Sequence, residues 1–502
     1  MGFIHFASLP QQFFPPTNRD QFQVEIQLSA TAAIAETQTL VQQVRELMRS
    51  NPRVDEIHWF LGKNAPSFFY NVVNRQENQA NYAQGIVQLN DTTELRQTIQ
   101  SLQTQLDQAF PQAQILVKQL EQGPPIDAPI QLRIFGSDMN QLREIGNQLR
   151  QILAEIPDVI HTQADLAEVS PKLSLQVDEV AAQRVGLSND AIAAQLSSQL
   201  DGITGGSILE DTEELPVRVR LSNQTRGNLD AITSLDLLSS DGQQIPLGSV
   251  ASVTLQPAIS SIARREGQRV NNILAFITAG ALPNTILTQF QKRLQDLSFI
   301  LPPGYRIEYG GEADARGDAV GNLLSSVGVL MILMVATLVL SFNSFALAGL
   351  LGVVAIAAVG LAALSLWLFD SVFGFTAILG TLGLIGVAIN DSIVVLAALR
   401  EDPLASRGHR QATVKVILKA TRHVIATTIT TMISFVPLIL DPSGFWPPLA
   451  IAIAGGLGGA TLLALYFIPS AHLLIFRQRH AKIKPPMTQL SDSLELSLTQ
   501  KP

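Results

Sequence analysis

Five long apolar runs close this chain, and no other feature limits its fold as tightly. They cover residues 320–340, 345–368, 375–399, 425–440 (extendable toward 414) and 449–476. A hydrocarbon core ~30 Å thick takes about 20 residues of helix. Any one run could be a buried helix of a large soluble protein. Five in succession, joined by links as short as "SFNSF" at 341–345, fit a membrane bundle instead. Only 15% of the 502 residues are charged, against roughly 25% in soluble domains. The apolar excess lies after Ala319, and the chain before it is rich in Gln, Asp, Glu and Arg. A soluble part therefore precedes a membrane part.

The same composition removes several function classes. A formal charge of −8 argues against nucleic acid as a partner, because such binders show a basic face. There is no cysteine, which excludes disulfides, thiol catalysis and Cys-ligated metals. The segment "LGKNA" at 61–65 lacks the hydroxyl residue a phosphate-binding loop needs after its Lys, and no His-Glu-x-x-His pair occurs. Uphill transport by this chain would proceed without an ATP site of its own.

Basic residues beside the spans orient the bundle. Arg400, Arg407, Arg410, Lys415 and Lys419 fill one link, and Arg477, Arg479, Lys482 and Lys484 follow the last span. Both segments are expected on the cytoplasmic side. The links 369–375 and 441–446 hold acids and aromatics without Lys or Arg and are expected outside. The soluble part then lies on the external side, and residues 406–419 are expected as an amphipathic helix on the inner surface.

Within "GVAINDSIVVLAALRED" (386–402), Asn390 and Asp391 interrupt the apolar run. Asp391 stands nine residues before Arg400, ~13 Å of helix, near the bilayer midplane. An acid at that depth is expensive unless protonated, paired or hydrated, and it marks a functional position. The plainer alternative is a neutral acid that bonds a neighbouring helix. Gly383, Gly386 and Asn390 share a face at i, i+3, i+7 and are expected to admit a close neighbour. In the next span, Thr427, Thr430, Thr431 and Ser434 form a hydroxyl stripe, suited to packing or to relay. "AGGLGGA" at 454–460, with Gly455 and Gly459, offers a second close-packing surface. His423 and His472 read as interfacial.

In the soluble part, segments alternate at period two, then 3.6, then two again. Three such units run over 21–61, 128–166 and 271–311, and a fourth over 83–120. Paired strand–helix–strand units build split βαβ sandwiches of the ferredoxin-like type, so two such subdomains are expected. Between 166 and 271 the rhythm changes. A helix with Ser188 as N-cap is expected at 188–202, a strand at 215–222, and a hairpin and strand at 241–255. This stretch reads as a subdomain inserted into the second sandwich. The fold class is α+β followed by an all-α bundle of five transmembrane helices.

Taken in order, "FFPPTNRDQFQVEIQL" (13–28), "QGPPIDAPIQLRIFG" (122–136), "SLQVDEVAAQRVGLSNDAI" (174–192), "IPLGSVASV" (245–253), "YGGEADARGDAV" (309–320) and the Asn390–Asp391 helix carry a resemblance. The chain resembles, over nearly its whole length, the C-terminal half of the inner-membrane subunit of a resistance–nodulation–division (RND) efflux pump. That resemblance implies a leader at 1–20 left from a transmembrane helix, a first porter subdomain at 21–120, and a second at 121–187 with 263–318. It further implies a docking subdomain at 188–262, five spans within 319–480, and a disordered cytoplasmic tail at 481–502. It places the protein as a multi-pass component of the bacterial inner membrane with a large periplasmic part. It implies no cofactor beyond the proton gradient. The implied partners are a complementary N-terminal half, a trimeric assembly, a periplasmic adaptor, an outer-membrane channel and membrane lipids.

In the family's drug pumps, an Asp pair on the fourth helix works with a Lys on the tenth and a Thr on the eleventh. The Lys position matches Asn390 here and the Thr position Thr427. Asn390 carries no counter-charge, and Asp391 adds a carboxylate. Asp391 is therefore expected to carry a proton or pair a charge, with Asn390, Thr427 and Thr431 as the other relay candidates. The expected activity is proton-driven export of small lipophilic compounds. One alternative is metal-ion export by related pumps. The scattered Met1, Met48 and Met139 of the soluble part weigh against soft metals. Another is a non-transporting membrane scaffold or protein-export accessory. No catalytic triad or metal-ligand spacing supports an enzyme. "MGFIHFASLP" at 1–10 is too short to span and lacks a basic start, so it is not read as a signal peptide. The chain is expected to be a split subunit or a fragment.

Overall fold

The computed structural model describes residues 2–480, apart from 7–8, 70–71, 73–75, 167–169, 212 and 260. The expected tail at 481–502 lies outside the described residues. The chain forms two compact units, Met1–Ala164 with Arg264–Pro502, and Asp165–Ala263.

After a short helix α1 (Gly2–His5), the first sheet is built from β1 (Gln21–Gln27), β2 (Val54–Leu61), β3 (Tyr82–Leu89) and β4 (Gln114–Gln119), in the order β2-β3-β1-β4. Every neighbouring pair is antiparallel. Helices α2 (Ile34–Arg49) and α3 (Leu95–Ala109) make the two crossovers. Strict alternation along β1 sends Phe22, Val24 and Ile26 inward, all fully buried, because successive strand side chains face opposite sides. Val44 and Met48 of α2, and Leu102 and Leu106 of α3, close over that face. This is the strand order of a double split βαβ unit.

A second sheet of the same design begins with β5 (Ile130–Phe135), α4 (Met139–Ala154) and β6 (Val159–Ala164). The chain then leaves for the second unit, which opens with β7 (Ser170–Val177), α5 (Glu179–Arg184) and α6 (Asn189–Leu200). Ser188 caps α6 by accepting from the Ala191 N–H. A hairpin of β8 (Ile203–Glu210) and β9 (Glu213–Val219) follows, with every residue of both strands exposed. Helices α7 (Asn223–Arg226) and α8 (Leu229–Thr233) lead to the pair β10 (Asp236–Leu238) and β11 (Gln244–Pro246), then to β12 (Ala251–Ala258). The insertion is larger than the sequence suggested. Strand β7 pairs with β12 from Ser170↔Ala258 to Val177↔Ala251, so residues 165–187 belong to this unit and not to the second sandwich. Strand β8 was also not anticipated, because its Gly-rich "ITGGSILE" has no clear alternation.

The second sheet closes with β13 (Arg264–Arg265), β14 (Gln268–Ile277), α9 (Pro283–Asp296) and β15 (Arg306–Gly311). Strand β14 lies between β6 and β5, and β15 borders β5. Strand β15 runs straight into α10 (Glu312–Phe342). Gly311 makes the corner at φ 75°, where a side chain would strike the Pro129 carbonyl oxygen at 2.6 Å.

The remaining helices are α11 (Phe345–Leu368), α12 (Phe375–Glu401), α13 (Arg410–Ile439), α14 (Pro447–Leu462) and α15 (Ile468–His480), the last two joined by one π-helical turn at Leu463–Phe467. Among the described residues, five continuous helical segments are long and apolar enough to cross a membrane. Helix α10 starts eight residues before the apolar run begins at Val320. Residues 406–419 do not form a separate surface helix, since α13 is continuous from Arg410 through the span. Helices α11, α12 and α14 make the packed centre, and most of α10 and α13 is uncovered.

Candidate functional site

The site lies where α12, α13 and α14 meet. Helix α12 is apolar almost throughout, so a polar side chain on it must find partners inside the bundle or beyond the chain. Asp391 faces inward and is only 6% exposed. Its neighbour Ser392 is satisfied within the helix, donating to the Ala388 carbonyl at 2.8 Å. The Oδ2 of Asp391 has no hydrogen-bond partner among the described residues. The Thr461 hydroxyl on α14 stands beside the carboxylate. Thr461 is also 2.7 Å from the Thr428 hydroxyl on α13.

Each of these hydroxyls has an alternative acceptor in its own helix. Thr428 reaches the Val424 carbonyl at 2.8 Å and Thr461 reaches the Leu457 carbonyl at 3.0 Å. A hydroxyl owns one proton and two lone pairs. The row Asp391, Thr461, Thr428 therefore has more acceptors than protons, and its O–H groups can turn without breaking the helices. A buried carboxylate followed by two touching hydroxyls is a short path for a proton.

The other relay candidates fall elsewhere. Asn390 is exposed, and so are Thr427, Thr430 and Ser434, while Thr431 is half-buried. Thr427 donates to the Val424 carbonyl at 2.8 Å. Neighbours on a helix are ~100° apart, so burying Val424 and Thr428 turns Thr427 outward. The structure thus joins Asp391 to Thr428 and Thr461, and not to Asn390, Thr427 or Thr431. Thr461 follows the "AGGLGGA" run directly, and nothing in the local sequence singles it out. Only its neighbours across the bundle mark it as a partner of Asp391.

The small residues also divide. A Cβ at Gly455 would meet Ser365 Oγ at 1.8 Å, one at Gly459 would meet Leu361 Cδ2 at 2.5 Å, and one at Gly383 would meet Ile453 Cδ1 at 3.2 Å. Gly386 has no neighbour within 4 Å and does not pack in this chain. Helices α12 and α14 bring backbone to backbone at Gly380, where a Cβ would lie 2.6 Å from the Leu449 carbonyl oxygen. His472, expected near a cytoplasmic end of the bundle, is covered by its neighbours. It is fully buried, both ring nitrogens lack partners among the described residues, and it packs on the Phe476 ring at 4.5 Å.

A second set of contacts couples the sheet to the membrane helices. Arg133 on β5 pairs with Asp314 in the first turn of α10 at 2.7 Å. The Phe13 N–H donates to Glu312 Oε1 at 2.6 Å, and the Phe375 N–H at the start of α12 donates to the Phe13 carbonyl at 3.0 Å. With Gly311 as the sole corner, a displacement of β15 reaches α10 with no slack chain between. Nearby, Glu121 lines the cleft that Glu312 also lines. Solvent reaches it there, yet the surrounding protein pushes its carboxyl above the usual range, partly offset by Lys118. No group of three or more His, Cys, Asp or Glu among the described residues could hold a metal ion.

Comparison with known proteins supplies the context. The model of the AcrB/AcrD/AcrF family matches residues 1–476. The nickel-cobalt-cadmium resistance protein NccA of Alcaligenes xylosoxydans xylosoxydans is 25% identical over 377 residues, covering 73% of this chain and 35% of that protein. The cobalt-zinc-cadmium resistance protein CzcA of Cupriavidus metallidurans is 26% identical over 381 residues, 72% of this chain and 35% of that one. The multidrug resistance protein MdtC of Yersinia pseudotuberculosis is 22% identical over 499 residues, 97% of this chain and 47% of the relative. A crystal structure of a heavy metal efflux pump superposes with a TM-score of 0.75 at 18% identity, over 95% of this chain and 50% of the pump. The chain spans between about a third and a half of these relatives' length.

Proposed function

The chain belongs to the AcrB/AcrD/AcrF family of RND inner-membrane efflux subunits, and from that premise we propose that it is the coupling half of a proton-driven exporter of divalent heavy-metal cations in the bacterial inner membrane. The buried Asp391 carboxylate, set against Thr461 and Thr428, carries this reading. An acid at membrane depth is retained where its protonation does work. A proton arriving there changes the charge between α12 and α14. Movement of the bundle then passes through Gly311 and the Arg133–Asp314 pair into the second sheet.

For the cargo, the resistance proteins for nickel, cobalt, zinc and cadmium favour metal ions over the lipophilic compounds expected from the sequence. The described residues hold no ligand cluster, so the cargo's ligands would be completed by the rest of the assembly. The two sheets take the roles of porter subdomains, and Asp165–Ala263 that of the docking subdomain. Exposed Asn390 would be costly against lipid, and Thr427, Thr430 and Ser434, each bonded to a carbonyl of its own helix, are uncovered as well. A complementary membrane half would cover them, within a trimer that engages an adaptor and an outer-membrane channel. Export of lipophilic compounds is the second reading, favoured by an apolar-walled cavity of about 530 Å³ beside α10.

The test is reconstitution of the chain with its complementary half in proteoliposomes under an imposed pH gradient. Zinc, cobalt and cadmium fluxes are read with an indicator, and dye extrusion is read in parallel. Metal flux that vanishes in Asp391→Asn is expected. Full flux in that variant would overturn the role of Asp391, and dye extrusion without metal flux would replace the cargo.

A further inference from the structure

The cavity beside α10 is lined mainly by apolar residues, with Gln11, Asn284, Glu312 and Arg316 as its polar ones. Pro129, Ile130, Leu287, Val320 and Phe373 are among its apolar lining residues. Glu312 and Arg316, one turn apart on α10, are its charged groups. Each is held from one side, Glu312 Oε1 by the Phe13 N–H at 2.6 Å and Arg316 Nη1 by Gln11 Oε1 at 2.7 Å. A guanidinium has five N–H donors and a carboxylate about four lone-pair sites, so both keep bonding capacity toward the cavity.

Depth identifies what fits. The apolar run of α10 begins at Val320. At 1.5 Å per residue, Arg316 stands ~6 Å above that level and Glu312 ~12 Å above it. The headgroup layer on each side of a bilayer is roughly 5–7 Å thick. Arg316 therefore sits at the level of lipid phosphates, and Glu312 lies one turn further out, beyond the headgroup layer. Below them, Gly317, Gly321 and Gly328 present a smooth face, since a Cβ at any of these would meet nothing within 4 Å. With Leu324 and Met331 they form one stripe at i, i+4, i+7, i+11, i+14. The stripe leads to a second apolar cavity lined by Met331, Ile332, Val335 and Phe345. One leaflet is ~15 Å deep, about ten residues of helix, which is the run from 320 to 330.

We propose that this cavity holds a zwitterionic phospholipid of the ethanolamine type. Arg316 takes the phosphate, Glu312 takes the ammonium group two carbons further out, and an acyl chain lies along the glycine stripe of α10. The site rests on the membrane location of α10 and is independent of the cargo.

The test uses the purified full chain, delipidated in detergent, with lipid binding read by native mass spectrometry. The probes are phosphatidylethanolamine, phosphatidylglycerol and soluble phosphoethanolamine. Phosphatidylethanolamine should bind at least tenfold more tightly than phosphatidylglycerol, and soluble phosphoethanolamine should not compete at equal concentration. Glu312→Gln, which keeps the acceptor for Phe13, should erase the preference and leave phosphatidylglycerol binding unchanged. Arg316→Gln should weaken both lipids about tenfold. Val320→Trp fills the cavity without touching either charge and should block both lipids at an unchanged melting temperature. Equal binding of the two lipids, a preference that survives Glu312→Gln, or full competition by the soluble headgroup would each overturn the proposal.

Discussion

Gly380 and Gly386 lie on the same helix six residues apart, and the same substitution should affect them very differently. A Cβ at Gly380 would stand 2.6 Å from the Leu449 carbonyl oxygen and 2.9 Å from its Cα, whereas ordinary contact begins at 3.4 Å. Both atoms are backbone, so no rotamer relieves the clash. Helices α12 and α14 must part by roughly 0.8 Å, and a gap of that size forfeits a quarter to a half of each dispersion contact along the seam. Overpacking of this kind costs about 1–3 kcal/mol. At Gly386 nothing lies within 4 Å, and alanine there only improves helix propensity. Gly380→Ala should therefore lower stability by ~2 kcal/mol, roughly thirtyfold in the folding equilibrium, and Gly386→Ala should leave it within ~0.5 kcal/mol. The assay is an SDS titration of the purified chain in mixed micelles, followed by tryptophan fluorescence from Trp367 and Trp446 near the bundle ends. Equal midpoints for the two variants, or greater damage at Gly386, would refute the assignment of the α12–α14 seam.

Three further outcomes follow from the soluble sheets and their junction with the bundle. Leu102→Ala, at a fully buried position in the first sheet's core, should cost about 2–5 kcal/mol in chemical denaturation. Gly311→Ala combines a left-handed φ of 75° with a 2.6 Å clash on Pro129. It should cost about 2–3 kcal/mol and depress transport in the reconstituted pair beyond any loss of folded protein. The surrounding protein raises the Glu121 carboxyl even though solvent reaches the residue, so the unfolded state ionises first as pH rises. Stability then falls from the ordinary carboxyl range up through the raised folded value. Glu121→Gln should melt above wild type beyond that range and coincide with it below about pH 4, as measured by melting curves across pH.

Much of the architecture was legible because its signals are local. Alternation in "QFQVEIQL" names the buried side of β1 without reference to any other strand. An apolar run of more than twenty residues names a span, since backbone groups in lipid must be satisfied within the segment itself. The corrections concern positions whose role is set by distant neighbours. Residues 165–187 joined the insertion through strand pairing with β12. His472 became buried because the surrounding helices close over it.

The sequence alone determined that a soluble α+β part meets a membrane bundle and that one acid lies deep within it. Hydropathy and period suffice for both, because each depends on residues adjacent in the chain. Tertiary structure decided which hydroxyls Asp391 meets. Thr427 and Thr428 are chemically identical neighbours on α13, and only the rotation of that helix against α14 brings Thr428 to Thr461 while turning Thr427 away. That rotation is set by packing summed over the whole bundle, and no stretch of local sequence contains it.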